Sequence, residues 1–135
     1  MISERKKLIK KLDKYFSEFI RLTAADDNGY VRCPTCGKVY PWRKTDCSHY
    51  IRRNVLSVRW DERNAIAQCQ SENRFQGGNI HKLRPVLVER YGAEAIQEVD
   101  ELEKKPWAED VFSLQIKLDD YKEKVKRLKK EKGLS

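Results

Sequence analysis

The stretch Cys33-Pro34-Thr35-Cys36-Gly37 decides how the rest of the chain is interpreted. Two cysteines separated by two residues can bind one metal ion through both thiolates, and Gly37 permits the tight turn that such a loop requires. The rival interpretation is a thioredoxin-type redox pair, which is found at a strand-to-helix junction of a fold in which strands and helices alternate. The flanking sequence shows no such alternation. The spacing therefore favours a metal-binding loop, with zinc as the expected ion.

The remaining ligands of this zinc site are predicted from the cysteines downstream. Cys69 is the expected third ligand, and Glu72 stands three residues later, where a fourth thiolate would complete the pattern. A carboxylate can bind zinc, but structural sites normally use cysteine and histidine. Cys47 is the alternative fourth ligand if the fold brings it close. A further alternative is that Cys33, Cys36 and Cys69 are buried thiols that bind zinc weakly or not at all.

Composition narrows the class of protein. The 135 residues suit one small domain with helical arms, and 29 Lys and Arg against 21 Asp and Glu give a net charge of +8. An excess of this size favours a polyanionic partner such as nucleic acid, although a basic surface can also serve solubility alone. The sequence has neither a membrane-spanning apolar run nor a signal peptide, so we expect a cytoplasmic protein without disulfides.

Hydrophobic periodicity predicts an α+β chain in three parts. Residues 1–29 carry an amphipathic helix over 3–22, residues 30–80 form a cysteine-containing core, and residues 81–135 are helical. Within the core we expect short strands at 30–32, 39–40, around 49–50 and at 58–60, and a helix that begins near 69–73. The last region should contain helices at 81–91 and 93–104 and a third that begins near Pro106 and frays over 122–132.

His49 is the candidate catalytic residue of the core. A lone histidine is more often structural, but this one lies in a predicted hairpin and is followed by Asn64 and Asn73. A neutral imidazole can act as a general base on water, and an adjacent divalent ion can stabilise a phosphate and its leaving oxygen. Asn73, at the start of a helix, could offer such an ion an amide oxygen.

The ordered combination of these motifs resembles the phage lambda NinG (Rap) family of recombination proteins and, more broadly, the HNH or ββα-metal endonucleases. The resemblance runs over about residues 10–128 and is strongest from Cys33 to Gly92. It rests on Cys33-Pro34-Thr35-Cys36-Gly37, His49-Tyr50, Arg59-Trp60-Asp61-Glu62-Arg63-Asn64, Gln68-Cys69, Asn73 and Gly77-Gly78-Asn79.

The resemblance implies a small ββα-metal, HNH-like core braced by zinc and flanked by an N-terminal helix and a C-terminal helical arm. It implies that His49 is the general base, that Asn64 ties the hairpin loop together, and that Asn73 binds a catalytic Mg²⁺ or Mn²⁺. The implied activity is cleavage of branched DNA, such as Holliday junctions or D-loops, during phage recombination in the bacterial host. Many HNH enzymes have an Asp before the histidine where this chain has Ser48, and Asp46 is a weaker candidate for that second ligand.

Basic residues close to His49 in sequence are the predicted DNA contacts, since such side chains hold phosphates and set register. They are Arg52, Arg53, Arg59, Arg63, Lys82 and Arg84. The second functional hypothesis is a non-catalytic, zinc-ribbon-like nucleic-acid-binding module. A third is a helical interaction protein that uses residues 93–130, and a homodimer is expected by analogy with junction resolvases.

Overall fold

The computed structural model describes residues 3–135 as an α+β chain with two separate two-stranded antiparallel sheets. The helices are α1 (Glu4–Ala24), α2 (Gln70–Phe75), α3 (Ile80–Tyr91), α4 (Ala93–Leu102) and α5 (Val111–Lys132). The strands are β1 (Tyr30–Arg32), β2 (Val39–Pro41), β3 (Thr45–His49) and β4 (Ala65–Cys69). Strand β1 pairs with β2, and β3 pairs with β4.

Helix α1 forms the larger core together with α5. Ser3 caps α1 by accepting a hydrogen bond from the Lys6 backbone N–H, and apolar residues then recur every three or four positions. The ring of Phe16 meets that of Tyr121 edge to face, with centroids 5.3 Å apart. The other buried residues of this interface are Leu8, Leu12, Ile20, Leu114, Leu118 and Val125.

The β3–β4 hairpin lies between that core and the smaller helices. Every residue of β4 is buried, because successive side chains point to opposite faces and both faces are covered. Ala65 and Ala67 pack into the α1–α5 core, whereas Ile66 packs against the α3 and α4 residues Leu83 and Ile96. The hairpin is therefore the element that both helical groups hold in place.

The predicted α+β class and the first helix are confirmed, and α3 and α4 lie close to their predicted bounds. The predicted strand at 58–60 is wrong: these residues form turns, and the second strand of the hairpin is Ala65–Cys69. The third helix begins at Val111, after an Asp110 cap that accepts from the Ser113 N–H, and not near Pro106.

The predicted fraying of residues 122–132 is also wrong. Helix α5 continues to Lys132, whose ammonium donates hydrogen bonds to the carbonyl oxygens of Leu22 and Ala25 at the end of α1. Gly133 then ends the helix with a φ of 65°, a left-handed conformation that glycine adopts without strain. Among the helices of residues 3–135, none combines the length and apolar character needed to cross a membrane.

Candidate metal centre and hairpin site

Three cysteines from distant parts of the chain meet at one end of the hairpin. Cys33 and Cys36 come from the loop between β1 and β2, and Cys69 ends β4. Their sulfur atoms all lie within 4.8 Å of one another, and Cys36 Sγ is 3.8 Å from Cys69 Sγ. Thiolates about 2.3 Å from a tetrahedral zinc ion would be separated by about 3.8 Å. The cluster therefore has a geometry that can bind a metal.

Hydrogen bonds favour the thiolate form of Cys33. Burial alone would raise its pKa, but the backbone N–H of Cys69 and the hydroxyl and backbone of Thr35 act in the other direction and lower the pKa to about 7. The Cys69 N–H lies 3.4 Å from Cys33 Sγ. Since the thiolate is the form that binds metals, these donors prepare the loop for an ion.

The fourth ligand is not supplied by either predicted candidate in this conformation. Both carboxylate oxygens of Glu72 accept hydrogen bonds from the Asn79 side chain, at 3.1 and 3.2 Å, and only the backbone N–H of Glu72 reaches Cys69 Sγ. Cys47 packs into the α1–α5 core, where burial raises its pKa to about 12. Within residues 3–135 the metal-ligating cluster consists of the three cysteines.

His49 ends β3 and is held by a backbone carbonyl. Its Nε2 lies 2.9 Å from the oxygen of Arg59, and its ring lies 6.1 Å from that of Phe16 on α1. A carbonyl oxygen only accepts hydrogen bonds, so Nε2 carries the proton and Nδ1 is the basic nitrogen of the neutral ring. Burial lowers the pKa of His49 from 6.5, more than the Arg59 contact raises it. The neutral form of the ring is therefore favoured near pH 7.

Asn64 holds the loop between β3 and β4 in its observed shape. The side chain is fully buried, and its Oδ1 accepts from the Ile51 N–H at 2.7 Å. Its amide donates to the carbonyl oxygens of Ile51 and Val58, at 3.0 and 3.1 Å. Because one side chain satisfies three buried backbone groups, it fixes the loop that presents the Arg59 carbonyl to His49.

Asn73 lies beside Asp46 instead of His49. Its amide donates to Asp46 Oδ2 at 2.9 Å, and the Arg74 guanidinium donates to both oxygens of the same carboxylate. Side chains three residues apart on a strand point to opposite faces, so Asp46 and His49 diverge along β3. Asp46 and Asn73 line a cavity of about 360 Å³ together with Arg21, Arg43, Arg53 and other residues.

The structure separates the six predicted DNA-contacting residues into two groups. Arg59 is paired with Asp13, Arg63 with Asp61 and Glu98, and Arg84 with Asp100, so these guanidinium groups already have acidic partners. Arg52, Arg53 and Lys82 form no ion pair within residues 3–135.

Sequence reasoning missed a second basic surface on α1. Five exposed lysines of this helix line a cavity of about 860 Å³ with Asp13, Ser17 and Arg53, and they are Lys6, Lys7, Lys10, Lys11 and Lys14. The spacing of these lysines along the polar face of the helix could have indicated this surface from the sequence. Only the structure shows that Arg53, from the hairpin loop, closes the other side of this cavity.

Comparison with known proteins agrees with the motif pattern. The sequence model of the family described as "Bacteriophage Lambda NinG protein" matches residues 1–131. Proteins called "Protein ninG" from Salmonella phage P22 and Escherichia phage 933W are each 31% identical over 93 residues, which are 68% of this chain and 43% and 44% of those proteins. The Escherichia phage lambda protein of the same name is 30% identical over 93 residues, or 68% of this chain and 43% of its own.

The matched region spans less than half the length of these relatives. No solved structure matches the chain. A family match over residues 1–131 nevertheless covers the cysteine cluster, the hairpin and all five helices up to the last turn of α5. The chain therefore belongs to the bacteriophage lambda NinG family.

Proposed function

We propose that this protein is a metal-dependent, HNH-type endonuclease that cuts branched DNA, such as a Holliday junction or D-loop, during phage recombination. The observation that carries the proposal is the state of His49. Its Nε2 is hydrogen-bonded to the Arg59 carbonyl and burial lowers its pKa, so the neutral ring is favoured and Nδ1 is its basic nitrogen. A general base must be in this form near neutral pH.

In the proposed reaction, His49 accepts a proton from the water molecule that attacks the scissile phosphorus. Asn64 positions His49 indirectly, through the loop that carries the Arg59 carbonyl. Asn73 and Asp46 are the residues that would hold Mg²⁺ or Mn²⁺, since oxygen ligands suit these hard cations. A bound divalent ion would stabilise charge on the phosphate and on the departing 3′-oxygen.

The cysteine cluster has a different proposed role, as a structural zinc site. Cys33, Cys36 and Cys69 connect the β1–β2 loop to the end of β4 and to the first turn of α2. An ion held there would brace the hairpin against that loop. Three thiols within 4.8 Å of one another support zinc, and the fourth position would be taken by water or by a rearranged side chain.

The two histidines of the chain provide a matched test of the catalytic proposal. His49→Ala should abolish metal-dependent nicking of a labelled four-way junction while leaving junction binding, measured without added Mg²⁺ or Mn²⁺, within about twofold of the parent. His81→Ala, at an exposed position of α3, should nick and bind like the parent. Nicking by the His49 variant at the parent's rate would show that His49 is not the base.

One observation favours the second hypothesis, a non-catalytic DNA-binding module. The Asp46 carboxylate is fully engaged by Arg74 and Asn73, so a cation must displace Arg74 before it can bind. The exposed Arg74 side chain can move away into solvent. Titration of Mg²⁺ or Mn²⁺ against a labelled junction separates the hypotheses, because a module would bind the junction without any metal-stimulated nicking.

A further inference from the structure

Two basic cavities lie next to each other along α1 and the hairpin loop. The first is the cavity of about 860 Å³ lined by the α1 lysines, and the second is the cavity of about 360 Å³ that contains Asp46 and Asn73. Ser17 and Arg53 line both cavities, so the two are adjacent at these residues. We refer to this combined feature as the α1 groove.

Basic side chains greatly outnumber acidic ones in the lining of the α1 groove. Five lysines and four arginines line it, against two carboxylates. Both carboxylates are neutralised from within the fold: Asp13 accepts from Arg59 and from the Trp60 indole, and Asp46 accepts from Arg74. The lysines of α1 form no ion pair within residues 3–135 and are exposed. They are therefore available to an external polyanion.

The dimensions of the α1 groove fit one strand of a duplex. From Lys6 to Arg21 the helix rises about 22 Å at about 1.5 Å per residue. Each strand of a duplex carries one phosphate about every 3.4 Å along the duplex axis, so a straight helix of this length can face the few phosphates of one strand that lie on its side of the duplex. A row of exposed lysines on a rigid helix neutralises such a backbone without reading its sequence.

We infer that the α1 groove binds the phosphate backbone of a double-stranded DNA arm next to the scissile site. The inference rests on the proposed function in taking DNA as the polyanion and in placing the cut beside the hairpin, next to the cavity that Asp46 and Asn73 line. Arg53 is the point where the arm would pass the hairpin, since it lines both parts of the groove and its charge acts on His49. This assigns the main DNA contacts to α1, outside the residues predicted from the sequence.

The test compares two triple variants with the same loss of charge. Lys7→Gln/Lys10→Gln/Lys14→Gln removes groove lysines, and Lys104→Gln/Lys126→Gln/Lys130→Gln removes exposed lysines that do not line the groove. Glutamine has nearly the helix propensity of lysine, so both variants should keep the parent's circular dichroism and thermal midpoint. Binding to a fluorescent 20-base-pair duplex and to a four-way junction is measured by anisotropy without added Mg²⁺ or Mn²⁺ and without chelator, so that the proposed structural zinc is kept while metal-dependent cutting is not supported.

The groove variant should bind both DNAs at least about tenfold more weakly than the parent at about 0.1 M salt. Its plot of log affinity against log salt should be shallower by about 0.9 for each phosphate that the variant no longer neutralises. The control variant should stay within about twofold. Arg53→Gln alone should weaken binding in the same direction. Equal losses of affinity in the two triple variants, or no DNA binding by the parent, would each overturn the inference.

The same experiment keeps this inference separate from the proposed enzymatic activity. A selective binding loss in the groove variant, combined with a parent that never nicks a junction in Mg²⁺ or Mn²⁺, would support the α1 groove and reject the endonuclease. Nicking by the parent, combined with equal binding of the two triple variants, would support the endonuclease and reject the α1 groove.

Discussion

Asn73 donates its side-chain amide to the carboxylate of Asp46 across 2.9 Å, and this contact joins α2 to β3. The pair offers a carboxylate and an amide carbonyl oxygen next to each other at the edge of a basic cavity. Ser48, which directly precedes His49, is buried and has a neutral hydroxyl, so it supplies no charged oxygen ligand. Asp46 is thus the acidic residue that the structure brings to Asn73.

Asp46→Asn should therefore raise the Mg²⁺ concentration needed for half-maximal nicking by roughly 10- to 100-fold, because the ion loses its charged ligand. Arg74→Ala should lower that concentration, since it frees the carboxylate from its bidentate partner. The measurement is the initial nicking rate over a metal titration, with Asp27→Asn at an exposed position as the control. If the Asp46 variant needs the same metal concentration as the parent, Asp46 is not a ligand of the catalytic ion.

Removing Asn64 should destabilise the fold. Asn64→Ala leaves the Ile51 N–H and the Ile51 carbonyl oxygen without these partners in a buried loop, at a cost of about 3 kcal/mol, whereas the Val58 carbonyl oxygen keeps the Asp61 N–H. Urea unfolding of parent and variant measures this difference, and Asn28→Ala at an exposed position should change stability by less than about 0.5 kcal/mol. A destabilisation below about 1 kcal/mol would mean that water or other groups replace the hydrogen bonds of Asn64.

The proposed zinc site predicts which cysteine and glutamate variants should lose bound zinc. Cys33→Ser should lose bound zinc, measured by mass spectrometry of metal in protein purified without chelator. Cys47→Ala should retain the parent's zinc, since Cys47 packs in the α1–α5 core away from the cluster. Glu72→Gln should also retain it, because the Glu72 carboxylate is hydrogen-bonded to Asn79. Zinc loss in the Glu72 variant would instead identify this carboxylate as the fourth ligand.

Residue spacing over short stretches of the sequence was enough to predict helix α1 and the cysteine cluster. The apolar spacing on α1 and the cysteine spacing around Gly37 are such features, and both led to confirmed statements about helix position and about the clustering of Cys33, Cys36 and Cys69. Strand β4 was predicted poorly, since burial on both faces removes the alternation that marks a strand.

Contacts between residues far apart in the chain could not be predicted from short sequence patterns. The pairing of Asp46 with Asn73 depends on how α2 crosses the hairpin, and the pairing of Arg59 with Asp13 depends on where α1 packs. The second pairing gives Arg59 an acidic partner within the fold, while packing of α1 against the loop brings Arg53 beside the lysines. No periodicity in the chain encodes either relationship.

The lowered pKa of His49 makes both activity and stability depend on pH in a defined direction. Burial lowers the pKa below 6.5, so between the folded value and 6.5 the unfolded chain binds more protons than the folded one. Stability contributed by the neutral ring is therefore present above pH 6.5 and is lost as the pH falls through the folded pKa. The nicking rate of the proposed enzyme should follow the same trend, rising with pH through the folded pKa and levelling off above it. The free energies of unfolding of the parent and of His49→Gln can be measured in urea from about pH 5 to about pH 7.5. The difference between the two at each pH gives the contribution of His49. A difference that is constant over this range would contradict a buried, neutral His49.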